Sequence, residues 1–125
     1  MKLTTALLAL LLPLPLLAAE RIEKMPPQFV GQWAGSLALC TSSKDSSLLR
    51  VGHEEISYAE TAGLLEAIVQ RDEQEVAMIA EVVGEGEDGS TLEATVLKLS
   101  NDGNQLTAES SASGRSIVRV RCPKH

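Results

Sequence analysis

Leu64-Leu65-Glu66-Ala67-Ile68-Val69-Gln70-Arg71-Asp72-Glu73-Gln74-Glu75-Val76-Ala77-Met78-Ile79-Ala80-Glu81-Val82-Val83 decides between two folds. At helical spacing, Leu65, Ile68, Val69, Val76, Ile79, Ala80 and Val83 form one apolar stripe. At a period of two the same residues split into two strands. Leu65, Ala67 and Val69 then share one face, Val76, Met78, Ala80 and Val82 another, and Arg71-Asp72-Glu73-Gln74 is the turn. The Ala, Leu and Glu content favours a helix. The polar break and the valine-rich second half favour strands. Two strands are the preferred reading, and an α+β fold with a mid-chain helix is the alternative.

The flanks point the same way. Downstream, Gly84 to Gly89 is a glycine-punctuated turn and Thr91 to Leu99 a strand. Leu92, Ala94 and Val96 share a face there, and a bulge is expected to shift Leu97 and Leu99 into register. Asn101-Asp102-Gly103-Asn104 is a turn, Gln105 to Glu109 alternates again, and Ser110 to Gly114 turns once more. In the last strand Val118, Val120 and Cys122 form the apolar face, with Ile117, Arg119 and Arg121 opposite. Upstream, Glu20 to Gln28 is extended, and Trp33, Gly35, Leu37 and Leu39 alternate as a half-buried strand ending at Cys40. A polar loop covers Thr41 to Ser47, and a hairpin is expected around Gly52-His53. Turns about every ten residues predict an all-β antiparallel meander, curled into a small barrel or open barrel, or into a sandwich.

Met1 to Ala19 has a basic start at Lys2, an apolar run from Leu3 to Leu17, and small residues before Glu20. That is the pattern of a secretory signal peptide, which leaves residues 20–125 as a single small β-rich domain with no membrane span after cleavage. Export permits disulfides, and Cys40 and Cys122 are the only cysteines, so they are expected to pair. Leu37-Ala38-Leu39-Cys40 lacks the hydrophobic leader of a lipid-anchor site. The formal net charge is −6. Residues 54–93 carry most of the acids against one base, Arg71, whereas Arg115, Arg119, Arg121 and Lys124 sit in a tail without acids. An acidic chain with three aromatics (Phe29, Trp33 and Tyr58) is no nucleic-acid binder.

Phe29-x-Gly31-x-Trp33, opening the first strand, resembles the Gly-x-Trp start of lipocalin-like barrels, in which the tryptophan plugs one barrel end. A broader likeness runs through that motif, Cys40, Ile56-Ser57-Tyr58-x-Glu60-x-x-Gly63, Gly84-Glu85-Gly86-Glu87, Leu99-Ser100-x-Asp102-Gly103 and Arg121-Cys122. In this order the chain resembles small uncharacterised exported proteins of Gram-negative bacteria. In their pattern an aromatic often follows Gly-Glu-Gly-Glu; here Asp88-Gly89 stands instead. The resemblance implies a periplasmic β-rich fold and brings no activity with it.

Catalytic and metal signatures are weak. Glu85, Glu87 and Asp88, with Glu81 nearby, supply only part of a calcium loop. His53 and His125 are too few for zinc once the cysteines pair. No nucleophile elbow accompanies His53, and Glu54, Glu55, Glu60 and Glu66 read as an acidic surface. No enzyme activity, cofactor or metal is expected. Trp33 and Tyr58 are the candidate ligand contacts. Arg119 and Arg121, expected to point outward, are the candidate docking strip for a partner. The function expected is that of a non-enzymatic periplasmic binding protein, an inhibitor-like module acting on another envelope or exported protein. The alternative is a small lipocalin-like carrier of an apolar ligand.

Overall fold

The 64–83 stretch forms two strands of one long hairpin, turning at Glu73-Gln74. The computed structural model describes residues 19–42, 45–84 and 89–124. The bulk of the expected leader, Glu85, Glu87, Asp88 and His125 lie outside the described residues. Among the described residues nine strands follow in chain order: β1 (Glu20–Ile22), β2 (Gly31–Ala34), β3 (Leu49–Val51), β4 (Glu55–Tyr58), β5 (Thr61–Asp72), β6 (Glu75–Gly84), β7 (Thr91–Leu99), β8 (Gln105–Ser110) and β9 (Ser116–Arg121). Strands β2 to β9 pair each with the next, all antiparallel, and β9 returns to β2. The result is an eight-stranded up-and-down barrel, and β1 is an extra strand on the far half of β5. Among the described residues the only helices are two 3-10 turns, Pro27–Phe29 and Leu37–Thr41.

The barrel core follows from alternation on closed strands. Val76, Met78, Ala80 and Val82 all point inward from β6, as the strand reading requires. On β5 a register shift between Leu65 and Ala67 alters the pattern, so that Ile68 is buried in place of Ala67 and Val69. Strand β7 carries no bulge in its pairing with β6 or β8. Its inward face holds Thr95 and Leu97, whereas Leu92 is 67% exposed, so the expected faces of this strand are reversed.

One end of the barrel is plugged. Pro26-Pro27 starts the first 3-10 turn, with proline's fixed φ suited to the position. This turn delivers Phe29 beneath the strand ends, and Met25, Phe29 and Trp33 fill the floor with Val76, Leu97 and Leu106. The Trp33 indole N–H donates to the Phe29 carbonyl at 3.1 Å. His53, in the β3–β4 turn, holds the incoming chain: Met25 N–H donates to the His53 carbonyl at 2.8 Å, and Nδ1 lies 3.1 Å from the Met25 carbonyl oxygen.

Strand β2 stops at Ala34, earlier than its alternation suggests. The 3-10 turn Leu37–Thr41 then folds back over the outside of the barrel. Leu39 and Cys40 there cover Ala34, Leu48 and Cys122 in a second, smaller core. The Cys40–Cys122 disulfide lies in this layer, with Cα atoms 5.6 Å apart.

Candidate functional site

The second core explains why β9 faces the other way from its expected orientation. Because the outer side at Cys122 is covered, Val118 and Val120 share that outer face, with Val118 55% exposed at the strand's other end. Arg119 and Arg121 therefore turn into the barrel, and Ile117, on the same face but 48% exposed, stands at its open rim. Arg119 is 3% exposed. The expected outward docking strip of Arg119 and Arg121 is corrected accordingly: neither guanidinium stands on the surface as a free charge.

Arg121 belongs to the plug. Its guanidinium carbon lies 4.2 Å from the centre of the Trp33 ring, a cation–π distance. Its Nε donates to the Gly103 carbonyl at 3.0 Å, Nη1 to Val30 at 3.1 Å and Nη2 to Gln28 at 2.6 Å. The Phe29-x-Gly31-x-Trp33 motif fits this arginine physically. Gly31 has φ +145°, and a Cβ there would come within 3.1 Å of Arg121 Nη1. Glycine is needed for both the backbone and the passing cation.

At the opposite end the barrel opens into a cavity of about 310 Å³. Its walls come from strand tops: Tyr58 of β4, Glu93 and Thr95 of β7, Ala108 and Ser110 of β8, and Ile117 and Arg119 of β9. Arg115 and Ser113 border it from the β8–β9 turn. Four surface grooves are larger, from about 390 to about 740 Å³. Two of them run across the β7–β8 turn, one lies along β1 and β5, and one crosses β2, β3 and β4; the mouth cavity is set apart by walls that carry the buried Thr95, Ala108 and Arg119.

Its electrostatics are set by burial. Desolvation raises the Tyr58 pKa above the usual phenol value, with Glu93 adding to the effect; a hydrogen bond with Thr95 and the Arg119 charge oppose it. Burial lowers the Arg119 pKa, and interaction with Tyr58 opposes that shift. An arginine remains protonated throughout the ordinary pH range. The Arg119 Nε–H donates to the Ser47 carbonyl at 2.5 Å.

Of the two aromatics expected to contact a ligand, only Tyr58 reaches this cavity; Trp33 is fully buried in the plugged floor. Glu93, Thr95, Arg115 and Ile117 were not singled out by sequence. Reading β7 as Glu93-Thr95-Leu97-Leu99 without a bulge finds the first two. No group of three or more His, Cys, Asp or Glu residues is placed to hold a metal among the described residues. Glu54 lies 4.0 Å from Lys24, and His53 serves the chain clasp. No family model, curated protein or solved structure matches the chain.

Proposed function

We propose that this protein is a non-enzymatic, lipocalin-like carrier of the periplasm that holds a small ligand in the open mouth of its barrel. The observation that carries this reading is a closed barrel plugged by Trp33, Phe29 and Arg121 at one end and hollow at the other. The cavity volume sits at the lower bound of ligand pockets, roughly 300–1,000 Å³. The Tyr58 ring, Ala108 and Ile117 supply apolar wall, and Thr95 and Arg119 supply a few polar groups, the mixture such pockets use for orientation. The leader pattern and the disulfide support the compartment. Native mass spectrometry of the protein taken gently from the periplasm tests the reading: a small bound mass that leaves on denaturation is the expected result. A bare chain that also takes up no small molecule in solution overturns it.

A second reading, docking on another envelope or exported protein, is favoured by a different feature. Leu64, Ile79, Val83 and Leu92 are 41–67% exposed on the outer faces of the adjacent strands β5, β6 and β7. They surround Glu81, which pairs with both Leu64 and Leu92, so the face is an apolar ring about one carboxylate, and exposed apolar clusters mark interaction surfaces. A second polypeptide retained at fixed stoichiometry in the same spectrum, and lost in Leu64→Ser/Leu92→Ser, is the outcome that selects this reading.

A further inference from the structure

The two inward arginines of β9 differ in how their charges are satisfied. Arg121 spends three donors on three carbonyls and its face on Trp33. Arg119, the more deeply buried, donates one hydrogen bond among the described residues, from Nε to Ser47. No carboxylate of the described residues pairs with it. No buried side-chain nitrogen or oxygen of the described residues is left without a hydrogen-bond partner, so burial by itself does not demand a counter-ion for Arg119. Yet Arg119 forms part of the wall of the mouth cavity, beside the Tyr58 hydroxyl and the buried Thr95. A planar guanidinium whose other donors have no partner among the described residues is, at such a place, suited to a planar, two-oxygen acceptor.

Charge in the cavity narrows the choice. Glu93 and Arg115 both border it and offset one another, which leaves Arg119 as the net charge. A single negative charge balances that; a dianion such as a phosphate monoester overshoots it within a protein whose net charge is already −6. The apolar wall at Ile117 and the Tyr58 ring calls for a hydrocarbon portion on the same molecule.

We propose that Arg119 is the counter-ion for the carboxylate of a small organic monoacid, whose carbon skeleton lies against Tyr58 and Ile117. This rests on the carrier reading and adds the ligand's chemical class. Thr95 and Tyr58 line the same cavity as Arg119, so the pocket that receives the head group also carries hydroxyl-bearing side chains. Arg119 acts as the binding residue.

Isothermal titration of the oxidised protein with octanoate, octanamide, octylamine and octyl phosphate tests the proposal. Octanoate is expected to bind about tenfold or more tighter than octanamide, the ratio that a charge-assisted hydrogen bond supplies. Octylamine is expected not to bind. Arg119→Met should reduce octanoate to the level of octanamide while leaving octanamide unchanged. Should that variant fail to fold, the octanoate-to-octanamide ratio of the unaltered protein still decides. Equal binding of octanoate and octanamide overturns the carboxylate assignment and leaves the carrier intact. A preference for octyl phosphate replaces the monoacid with a different anion and also overturns it. Absence of binding by all four overturns the proposal together with a carrier of molecules this size.

Discussion

Arg121 shows how a half-buried charged side chain can brace a core. Stacked on Trp33 and bonded to three carbonyls in two segments, it ties the β7–β8 turn and the incoming chain to the last strand. Arg121→Ala is expected to lower unfolding stability by about 2–4 kcal/mol, measured by denaturant titration. Chemical-shift changes should concentrate at Trp33 and Gly103. Tyr58 gives a pH-dependent counterpart. Its folded-state pKa is raised, so below about pH 10 the phenol is neutral in both states and the stability it contributes is fully present. Above that pH the unfolded chain ionises first, and this contribution is lost as pH climbs through the folded value. Tyr58→Phe should flatten that alkaline decline, and as the chain has one tyrosine its absorbance titration follows this group alone. These inward roles were hidden in the sequence for a physical reason. Period-two reading assigns the apolar set of β9 to the inside, but Cys122 and its neighbours are covered by the 3-10 turn on the outside.

Among the elements, the β5–β6 hairpin was the most readable and its details the least. Valine content and the Arg71–Gln74 break identify two strands and their turn correctly. The bulge beside Glu66 has no glycine or proline to announce it, so the face of Ile68 was not visible. Gly63, inward on β5, has a pairing reason for its lack of a side chain. A Cβ there meets the Glu81 carbonyl oxygen and Val82 Cγ2, both at 3.1 Å. Gly63→Ala should destabilise the protein by about 1 kcal/mol or more, with hydrogen-exchange protection lost first across β5 and β6. Gly103→Ala, at φ +76° in open space, should also destabilise, through backbone conformation alone. The candidate site was partly readable: Tyr58 stood out, whereas Glu93 and Thr95 hid behind the reversed faces of β7.

Across the whole molecule, the meander itself followed from evenly spaced turns, but the hollow mouth did not, because it exists only once the eighth strand meets the first. That closure is the narrowest part of the barrel. Strands β2 and β9 share two register pairs, Trp33 with Arg121 and Ala34 with Val120, while β5 and β6 share ten. The disulfide sits beside this seam and joins residues 82 apart in sequence. Reduction, or Cys40→Ser/Cys122→Ser, should cost about 4–5 kcal/mol by the chain-entropy account, compared by denaturation with and without reductant. The same crosslink governs how the protein answers a pull on its two ends. While it holds, tension bypasses the covalent loop between Cys40 and Cys122, so a pull can strip β1 from β5 and β2 from β3 and β9 but cannot extend the seven strands inside the loop. Cutting the bond under force should release a further length of about 280 Å, in a single step visible to an optical trap.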